Sequence, residues 1–385
     1  MKDVFEKTTI NGMNLPNRLV RSATWEGMCE ADGRPTAKLA SCYRDLAAGG
    51  VGLIITGYTF VRPDGKQLPG KMGIHTDAFS SDMRNLVQAV HKEGGKICLQ
   101  LVHAGGQTDT KTAGRKPLAP SAVKVEQFPE EPAAMSKKEI EGIVTAFGDG
   151  ARRAREYGFD AVQLHAAHGY LINQFLSPLT NRRTDEYGGT LENRCRFLLE
   201  VCSRVRFESG ADFPVLAKLN GSDNLEGGLD MTDAVHVAML LDREKIDAIE
   251  VSGGTPASGN KGPVRINIDT PELEAYNLGL AREIRKAVNC QVMSVGGFRS
   301  LEVIRKAIRE DGIDYISMAR PFIREPRLVN RWKEGDLSPA RCISCNGCFN
   351  PGLKEGGIYC VVDRKEKKVK RSGRHGAGRQ DKMSL

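Results

Sequence analysis

The sequence has no apolar run near the ~20 residues that a membrane-spanning helix requires. Residues 1–7 lack the apolar core of a signal peptide, so we expect a cytoplasmic protein that does not contact a membrane. No low-complexity linker separates a second domain. Apolar residues make up 40% of the chain and charged residues 27%, a balance typical of a globular protein and not of a disordered one.

Net positive charge is small over most of the chain, although the formal net charge is +8. Residues 361–385 hold nine Lys or Arg and three Asp or Glu, so six of the eight net positive charges lie there. A basic surface for nucleic acid is therefore not predicted on the rest of the chain. We expect residues 363–385 to form a solvated, disordered tail.

The ten cysteines are unevenly spaced in a chain without secretory features, which argues against a disulfide scaffold. Six are scattered through apolar segments and are interpreted as buried apolar side chains. The other four, within residues 336–362, are Cys342, Cys345, Cys348 and Cys360. Four thiolates at this spacing suit a [4Fe–4S] cluster; a tetrahedral zinc site is the main alternative, and free or disulfide-bonded thiols are the third.

Eight short β-rich runs alternate with segments whose apolar residues recur at helical spacing. Eight β/α units predict an α/β fold, a parallel (β/α)8 TIM barrel over residues 1–335, with a short cysteine-bearing C-terminal extension over 336–362. Because the carboxyl ends of barrel strands open onto one face, side chains at those ends should converge on one site. The predicted strands are residues 18–23, 51–59, 96–103, 161–166, 215–220, 247–253, 291–297 and 314–320.

Three side chains suited to proton transfer or hydrogen bonding follow the fourth predicted strand. His165 and His168 lie where that strand ends, and Tyr170 follows within the sequence His-Ala-Ala-His-Gly-Tyr. Two imidazoles can donate hydrogen bonds to a substrate carbonyl or carboxylate, and a neutral phenol can supply a proton. These three residues are the candidate catalytic group.

This stretch, continuing to Arg194, resembles the Old Yellow Enzyme family of flavin-dependent ene-reductases, and the resemblance extends over residues 3–362. It implies an NAD(P)H:flavin-dependent oxidoreductase with FMN as its cofactor and NADH or NADPH as the reductant. It also implies a small-molecule substrate with a polarised alkene. In such an enzyme flavin N5 delivers hydride and Tyr170 the proton, while His165 and His168 bind the substrate's carbonyl or carboxyl oxygen.

The resemblance also implies a set of flavin-binding residues. Gln100 faces the pyrimidine edge of the flavin, where an amide donates and accepts at once. Lys218 stands where the family commonly has arginine, and its charge would stabilise an anionic reduced flavin. His165 also belongs to this set. The phosphate would be held after the last two strands, as is common in TIM barrels, by Gly296, Gly297, Ala319 and Arg320.

The first two strands depart from the family pattern. The end of the first strand, which lies against flavin N5 and O4 in the family, is formed by Ser22, Ala23, Thr24 and Trp25. Trp25 aligns with a threonine, cysteine or histidine of other members. Tyr58 replaces a small residue of the second-strand motif. These differences predict a distinct subgroup with an altered pocket.

The cysteine segment resembles the one that follows the barrel in dienoyl-CoA reductases and trimethylamine dehydrogenase, which carry a cluster and continue into a further nucleotide-binding domain. Only 25 residues follow Cys360, so we expect a stand-alone barrel that exchanges electrons with an external donor protein. We also expect a homo-oligomer. One alternative is a flavin dehydrogenase that oxidises an amine or other small donor and passes electrons out through the cluster. Another is a non-catalytic barrel subunit of an electron-transfer complex.

Overall fold

A computed structural model describes residues 2–367, and its eight main strands form a closed parallel barrel. Each strand pairs with the next along the chain, and β8 pairs with β1 to close the ring. The predicted (β/α)8 TIM barrel is therefore confirmed. The strands are β1 (Leu19–Arg21), β2 (Leu53–Ile55), β3 (Ile97–Val102), β4 (Ala161–Ala166), β5 (Val215–Asn220), β6 (Ala248–Ser252), β7 (Gln291–Val295) and β8 (Tyr315–Met318).

Long helices follow seven of the strands. The third of them, which begins after Ser136, shows how local sequence sets the boundaries. The Ser136 hydroxyl and the Glu139 carboxylate cap each other's backbone N–H groups, and Gly158 ends the helix in the left-handed region at φ 92°. Two short helices, Arg320–Arg324 and Leu328–Lys333, follow β8. The long helices are α1 (Ala37–Ala48), α2 (Ser80–His91), α3 (Lys137–Tyr157), α4 (Leu191–Ser209), α5 (Met231–Arg243), α6 (Leu278–Ala287) and α7 (Leu301–Arg309).

The barrel strands are buried on both faces, which explains their nearly continuous apolar sequences. Outward side chains such as Leu99 and Leu164 belong to the main apolar core. The alternate side chains, such as Cys98 and Ala161, form a second core inside the barrel, which a hairpin near the N-terminus joins. The hairpin strands are Thr8–Ile10 and Met13–Leu15.

The segments between strands and helices supply the surroundings of the site. β2 is shorter than the predicted run 51–59, and beyond its end the chain passes the Glu26 carboxylate at Gly57, where an added Cβ would lie 2.3 Å from Oε2. Beyond this point Thr59–Phe60 pairs with Met72–Gly73 and with β3. The long segments after β3 and β4 contain the short helices Thr110–Ala113 and Leu171–Leu176 and the paired strands Leu118–Ala119 and Ala133–Ala134.

The cysteine segment folds against the barrel and includes the short helix Phe349–Lys354. Arg324 donates to the carbonyl of Arg341 at 2.8 Å, and the Ile358 N–H donates to the carbonyl of Glu26 at 2.9 Å. Residues 363–367, which we expected to be disordered, are helical, and Glu366 pairs with Arg324 at 2.8 Å. The remainder of the expected tail, 368–385, lies outside the described residues. Across residues 2–367 we find no helix with the length and apolar character of a membrane span.

Candidate active site

A buried polar layer crosses the barrel interior towards the carboxyl ends of the strands. Gln100 Nε2 donates to Gln163 Oε1 at 2.8 Å, and Gln163 Nε2 donates to Glu250 Oε2 at 2.9 Å. Ser22 Oγ donates to Glu250 Oε1 at 2.7 Å. Lys218 Nζ donates to Ser22 Oγ at 2.9 Å and lies 3.2 Å from Glu250 Oε2. Five side chains from distant parts of the sequence thus form one hydrogen-bonded network, called the polar layer below.

The polar layer contains two residues that the sequence analysis did not identify, Gln163 and Glu250. Both stand at inward positions of apolar strands, and this departure from the apolar pattern is the signal that identifies them. Glu250 changes the expectation for Lys218, because the lysine is paired with a carboxylate instead of being a lone cation. Its electrostatic effect on an anion is therefore partly cancelled.

Four aromatic rings gather next to the polar layer. The ring centroids of His165 and Tyr170 are 4.9 Å apart, and those of His165 and His168 are 5.1 Å apart. The ring of Tyr58 meets that of Tyr170 edge-on at 5.1 Å. The structure thus brings together the three candidate catalytic residues and one of the predicted flavin-site residues, in a group called the aromatic cluster below.

Both histidines of the aromatic cluster are neutral. Burial lowers the pKa of His165 and of His168 well below the usual value, and the positive charge of Lys218 acts in the same direction. The Ala167 N–H donates to Nδ1 of His165 at 3.3 Å, so the proton of the neutral ring is on Nε2. His168 Nε2 lies 2.7 Å from Ser252 Oγ. His165 can therefore donate a hydrogen bond to a substrate oxygen.

Tyr170 has the protonation state that a proton donor needs. Burial raises the pKa of its phenol, which opposes the weaker effect of a hydrogen bond to Gln67. The hydroxyl donates to Gln67 Oε1 at 2.8 Å. Gln67 lies in the segment after β2, which the sequence analysis did not identify as part of the site. The phenol is neutral near pH 7 and carries a proton that can be transferred.

The residues after β1 run from the barrel interior towards the cysteine segment. Ala23 packs against the inner core, and the Thr24 hydroxyl donates to the Ser22 carbonyl at 3.1 Å. The Trp25 indole donates to the Pro69 carbonyl at 3.1 Å, and a Cβ added at Gly352 would lie 3.1 Å from its ring. Trp25 therefore stands between the segment after β2 and the cysteine segment. Its predicted contact with the flavin stays a prediction.

The ends of β7 and β8 offer a place for a phosphate. Gly296 and Gly297 have φ angles of 154° and 77°, and a Cβ at either position would come within 3.0 Å of the Tyr276 ring. This close approach, together with the positive φ angles, favours glycine at both positions. Burial raises the pKa of Tyr276, and the positive charge of Arg320 opposes that shift. Ala319 directly precedes this arginine. Binding of an FMN phosphate by these four residues stays a prediction.

The four predicted metal ligands line one cavity beside the barrel, together with Arg320 and Arg324. Burial raises the pKa of Cys342, and it raises that of Cys348 to about 11, while Arg320 opposes both shifts. Within residues 2–367, no three or more His, Cys, Asp or Glu side chains are arranged to hold a single metal ion. The structure thus gathers Cys342, Cys345, Cys348 and Cys360 without forming a compact single-ion site.

The fold defines a class of protein, a TIM barrel whose candidate site lies at the carboxyl ends of its strands. The family model described as "NADH:flavin oxidoreductase / NADH oxidase family" matches residues 3–337. The chain belongs to this family, and the resemblance to Old Yellow Enzyme is confirmed.

Two curated relatives show the range of this family. An NADH oxidase from Thermoanaerobacter brockii is 34% identical over 96% of this chain and 59% of its own length. An NADPH dehydrogenase from Halalkalibacterium halodurans is 35% identical over 84% of this chain and 91% of its own length. The chain thus spans little more than half of the NADH oxidase and nearly all of the NADPH dehydrogenase.

Solved structures give the same result. A complex of 2-naphthoyl-CoA reductase with 2-naphthoyl-CoA matches with a TM-score of 0.85 and 28% identity, over 93% of this chain and 56% of that chain. An Old Yellow Enzyme homologue from Zymomonas mobilis matches with a TM-score of 0.77 and 28% identity, over 88% of this chain and 94% of that chain. Family membership supports an NAD(P)H:flavin oxidoreductase with FMN as its cofactor.

Proposed function

We propose that this protein reduces C=C bonds conjugated to a carbonyl or carboxyl group. FMN, reduced by NAD(P)H, supplies the hydride from its N5 atom when it is bound. The observation that carries the proposal is the contact between a neutral phenol and a neutral imidazole, Tyr170 and His165, whose ring centroids are 4.9 Å apart. Reduction of a polarised alkene needs one hydrogen-bond donor at the oxygen and one proton source, and this pair provides both.

Each residue of the aromatic cluster has a distinct role in this proposal. His165 and His168 bind the substrate oxygen and draw electron density from the conjugated alkene. Tyr170 transfers its hydroxyl proton to the α-carbon, and Gln67 orients that hydroxyl through the hydrogen bond at 2.8 Å. Because burial keeps both imidazoles neutral, neither one competes with the phenol as a strong acid.

The proposed flavin contacts come from the polar layer, from the aromatic cluster and from the residues after β1, β7 and β8. Gln100 and Lys218, which face the barrel interior in the polar layer, would bind the pyrimidine edge. Tyr58, His165 and the residues after β1 would line the ring. The phosphate would be held by Gly296, Gly297, Ala319 and Arg320.

Stopped-flow measurement of the two half-reactions tests the function. We expect Tyr170→Phe to slow reoxidation of the reduced flavin by an enone about 10²- to 10⁴-fold, while flavin reduction by NAD(P)H is unchanged. Tyr157→Phe is the matched control, because that hydroxyl, on α3, binds Asp77 at 2.9 Å. Equal loss in both half-reactions would contradict the role of Tyr170. Flavin that is reduced by an amine and not by NAD(P)H would favour the dehydrogenase alternative.

We propose further that the cysteine segment holds an iron–sulfur cluster that connects the flavin to an external electron donor. The support is that four thiols, those of C-x2-C-x2-C and of Cys360, line one cavity together with Arg320 and Arg324. The iron, zinc and acid-labile sulfide content per chain, measured after anaerobic purification, tests whether a cluster is present. About four irons and four sulfides per chain would support the cluster. Zinc alone, or no metal, would overturn it.

A further inference from the structure

Lys71 is a buried cation in the proposed active site, although no sequence motif includes it. It lies in the segment after β2 and is only 4% exposed. Its Nζ is 3.7 Å from the centroid of the Tyr58 ring and 5.8 Å from that of the Tyr170 ring. Since both rings belong to the aromatic cluster, the amino group of Lys71 lies against the cluster that contains the proposed proton donor.

Within the described part of the chain, Lys71 has no hydrogen bond and no ion pair. The opposite charge that influences it is Glu26, whose carboxylate is bound to Arg21 at 3.0 Å. Contacts with two aromatic faces stabilise a cation but satisfy none of its three N–H donors. Consistent with this, burial lowers the pKa of Lys71 to about 7.

Two other buried cations near the same face show what is unusual about Lys71. Lys218 is paired with Glu250 at 3.2 Å, and Arg21 is paired with Glu26 at 3.0 Å. Burying a charge is costly unless it is paired. A buried amino group that lies against the aromatic cluster, and that has no carboxylate partner among the described residues, is therefore suited to a carboxylate of a ligand, which would favour its charged form.

We propose that Lys71 determines substrate specificity by binding a carboxylate of the substrate, so that the preferred substrates are activated alkenes that carry a negative charge. The inference rests on the proposed function and narrows its substrate class. A direct ammonium–carboxylate bond gives strong recognition in a site with little water. The Nε2–H donor of His165 remains available for the oxygen that activates the alkene.

Two substrates with the same activated alkene isolate the effect of the charge. Dimethyl fumarate is neutral, and monomethyl fumarate differs only in that one ester is replaced by a carboxylate. We expect Lys71→Met to lower kcat/KM for monomethyl fumarate about 10- to 100-fold, the range for a hydrogen bond to a charged group, with dimethyl fumarate little affected. Lys71→Arg should retain part of the preference. Lys66→Gln is the control, because Lys66 is in the same segment and donates to the Ala31 carbonyl at 2.5 Å.

A binding measurement separates failure of the inference from failure of the proposed function. Monomethyl succinate is the saturated analogue, and its binding to the oxidised holoenzyme is followed by the change in flavin absorbance. Weaker binding to Lys71→Met than to the wild type would support the inference even if neither fumarate is reduced. FMN content and thermal melting of the variants verify that they are folded.

Three results would overturn the inference. The first is equal binding of monomethyl succinate by the wild type and Lys71→Met. The second is an equal loss of kcat/KM for both fumarates in Lys71→Met, which would indicate a role in the general shape of the site. Unchanged kinetics of flavin reduction by NAD(P)H would show that the reductant does not depend on Lys71. A loss confined to flavin reduction by NAD(P)H would indicate that Lys71 serves the reaction with NAD(P)H, and it would overturn the inference.

Discussion

The polar layer and the cysteine segment both gather side chains from distant positions, but they differ in how those side chains are satisfied. In the polar layer every one of the five side chains bonds to another, as the contacts of Glu250 with Ser22, Gln163 and Lys218 show. In the cysteine segment the thiols share a cavity, and burial raises the pKa of Cys342 and Cys348. The comparison teaches that the polar side chains inside the barrel satisfy one another, whereas the four cysteines are free thiols that share a cavity.

Removal of the carboxylate at the centre of the polar layer should have the largest effect on the barrel. Glu250→Leu leaves the buried Lys218 without its counter-charge, and breaking a buried pair in this way costs about 3–5 kcal/mol. We expect the free energy of unfolding of the FMN-free protein to fall by that amount, as measured by urea denaturation monitored by circular dichroism.

The double variant Glu250→Leu/Lys218→Met is the control for this prediction. It removes both charges, so it should recover a large part of the lost stability, because a buried pair replaced by apolar residues is often nearly neutral. If the double variant is as unstable as the single variant, the loss comes from packing and not from the unpaired lysine.

The two buried histidines of the aromatic cluster should make the barrel sensitive to acid. Their pKa values are lowered in the fold, mainly by burial, so the unfolded chain binds more protons once the pH falls below about 6.5. Stability contributed by the neutral rings is present above that pH and declines below it. The loss is at most about 1.4 kcal/mol per histidine for each pH unit.

Urea denaturation at about pH 7.5 and about pH 5.5 checks the acid sensitivity. The variant His165→Asn/His168→Asn should lose less stability between the two pH values than the wild type does. His236, whose side chain is 43% exposed, provides the control, since His236→Asn should change the pH dependence of stability little. An identical pH dependence in the double variant and the wild type would refute the assignment.

Much of the barrel was predictable because its strands have a regular apolar pattern. The predicted runs 161–166 and 215–220 have the same bounds as β4 and β5. The segment after β2 was not predicted, because its strands Thr59–Phe60 and Met72–Gly73 are too short to show a period of two. Their position depends on contacts with β3 that are distant in sequence.

The same distinction, between regular strands and irregular segments, applies to the residues of the candidate active site. His165, His168 and Tyr170 were identified because they lie close together after one strand. Gln163 and Glu250 were missed although each interrupts an apolar strand. Gln67 and Lys71 carry no such signal, since they lie in an irregular segment whose position against the aromatic cluster is set by tertiary contacts. Sequence patterns thus revealed residues that cluster in one motif, and missed single polar residues inside strands and residues placed by tertiary contacts of loops.

Substitution in the cysteine segment should have the smallest effect on the barrel, and it tests the comparison most directly. Cys345 is exposed, so Cys345→Ser should change the unfolding free energy of the FMN-free protein by no more than about 0.5 kcal/mol. Iron and sulfide should nevertheless be lost, because the cluster needs four thiolates. Cys98→Ser, which changes a buried thiol of the inner core, is the control that should leave the metal content intact. If Cys345→Ser lowers the FMN content together with the iron content, the barrel site and the cysteine segment are coupled. FMN binding in the barrel would then depend on the cysteine segment.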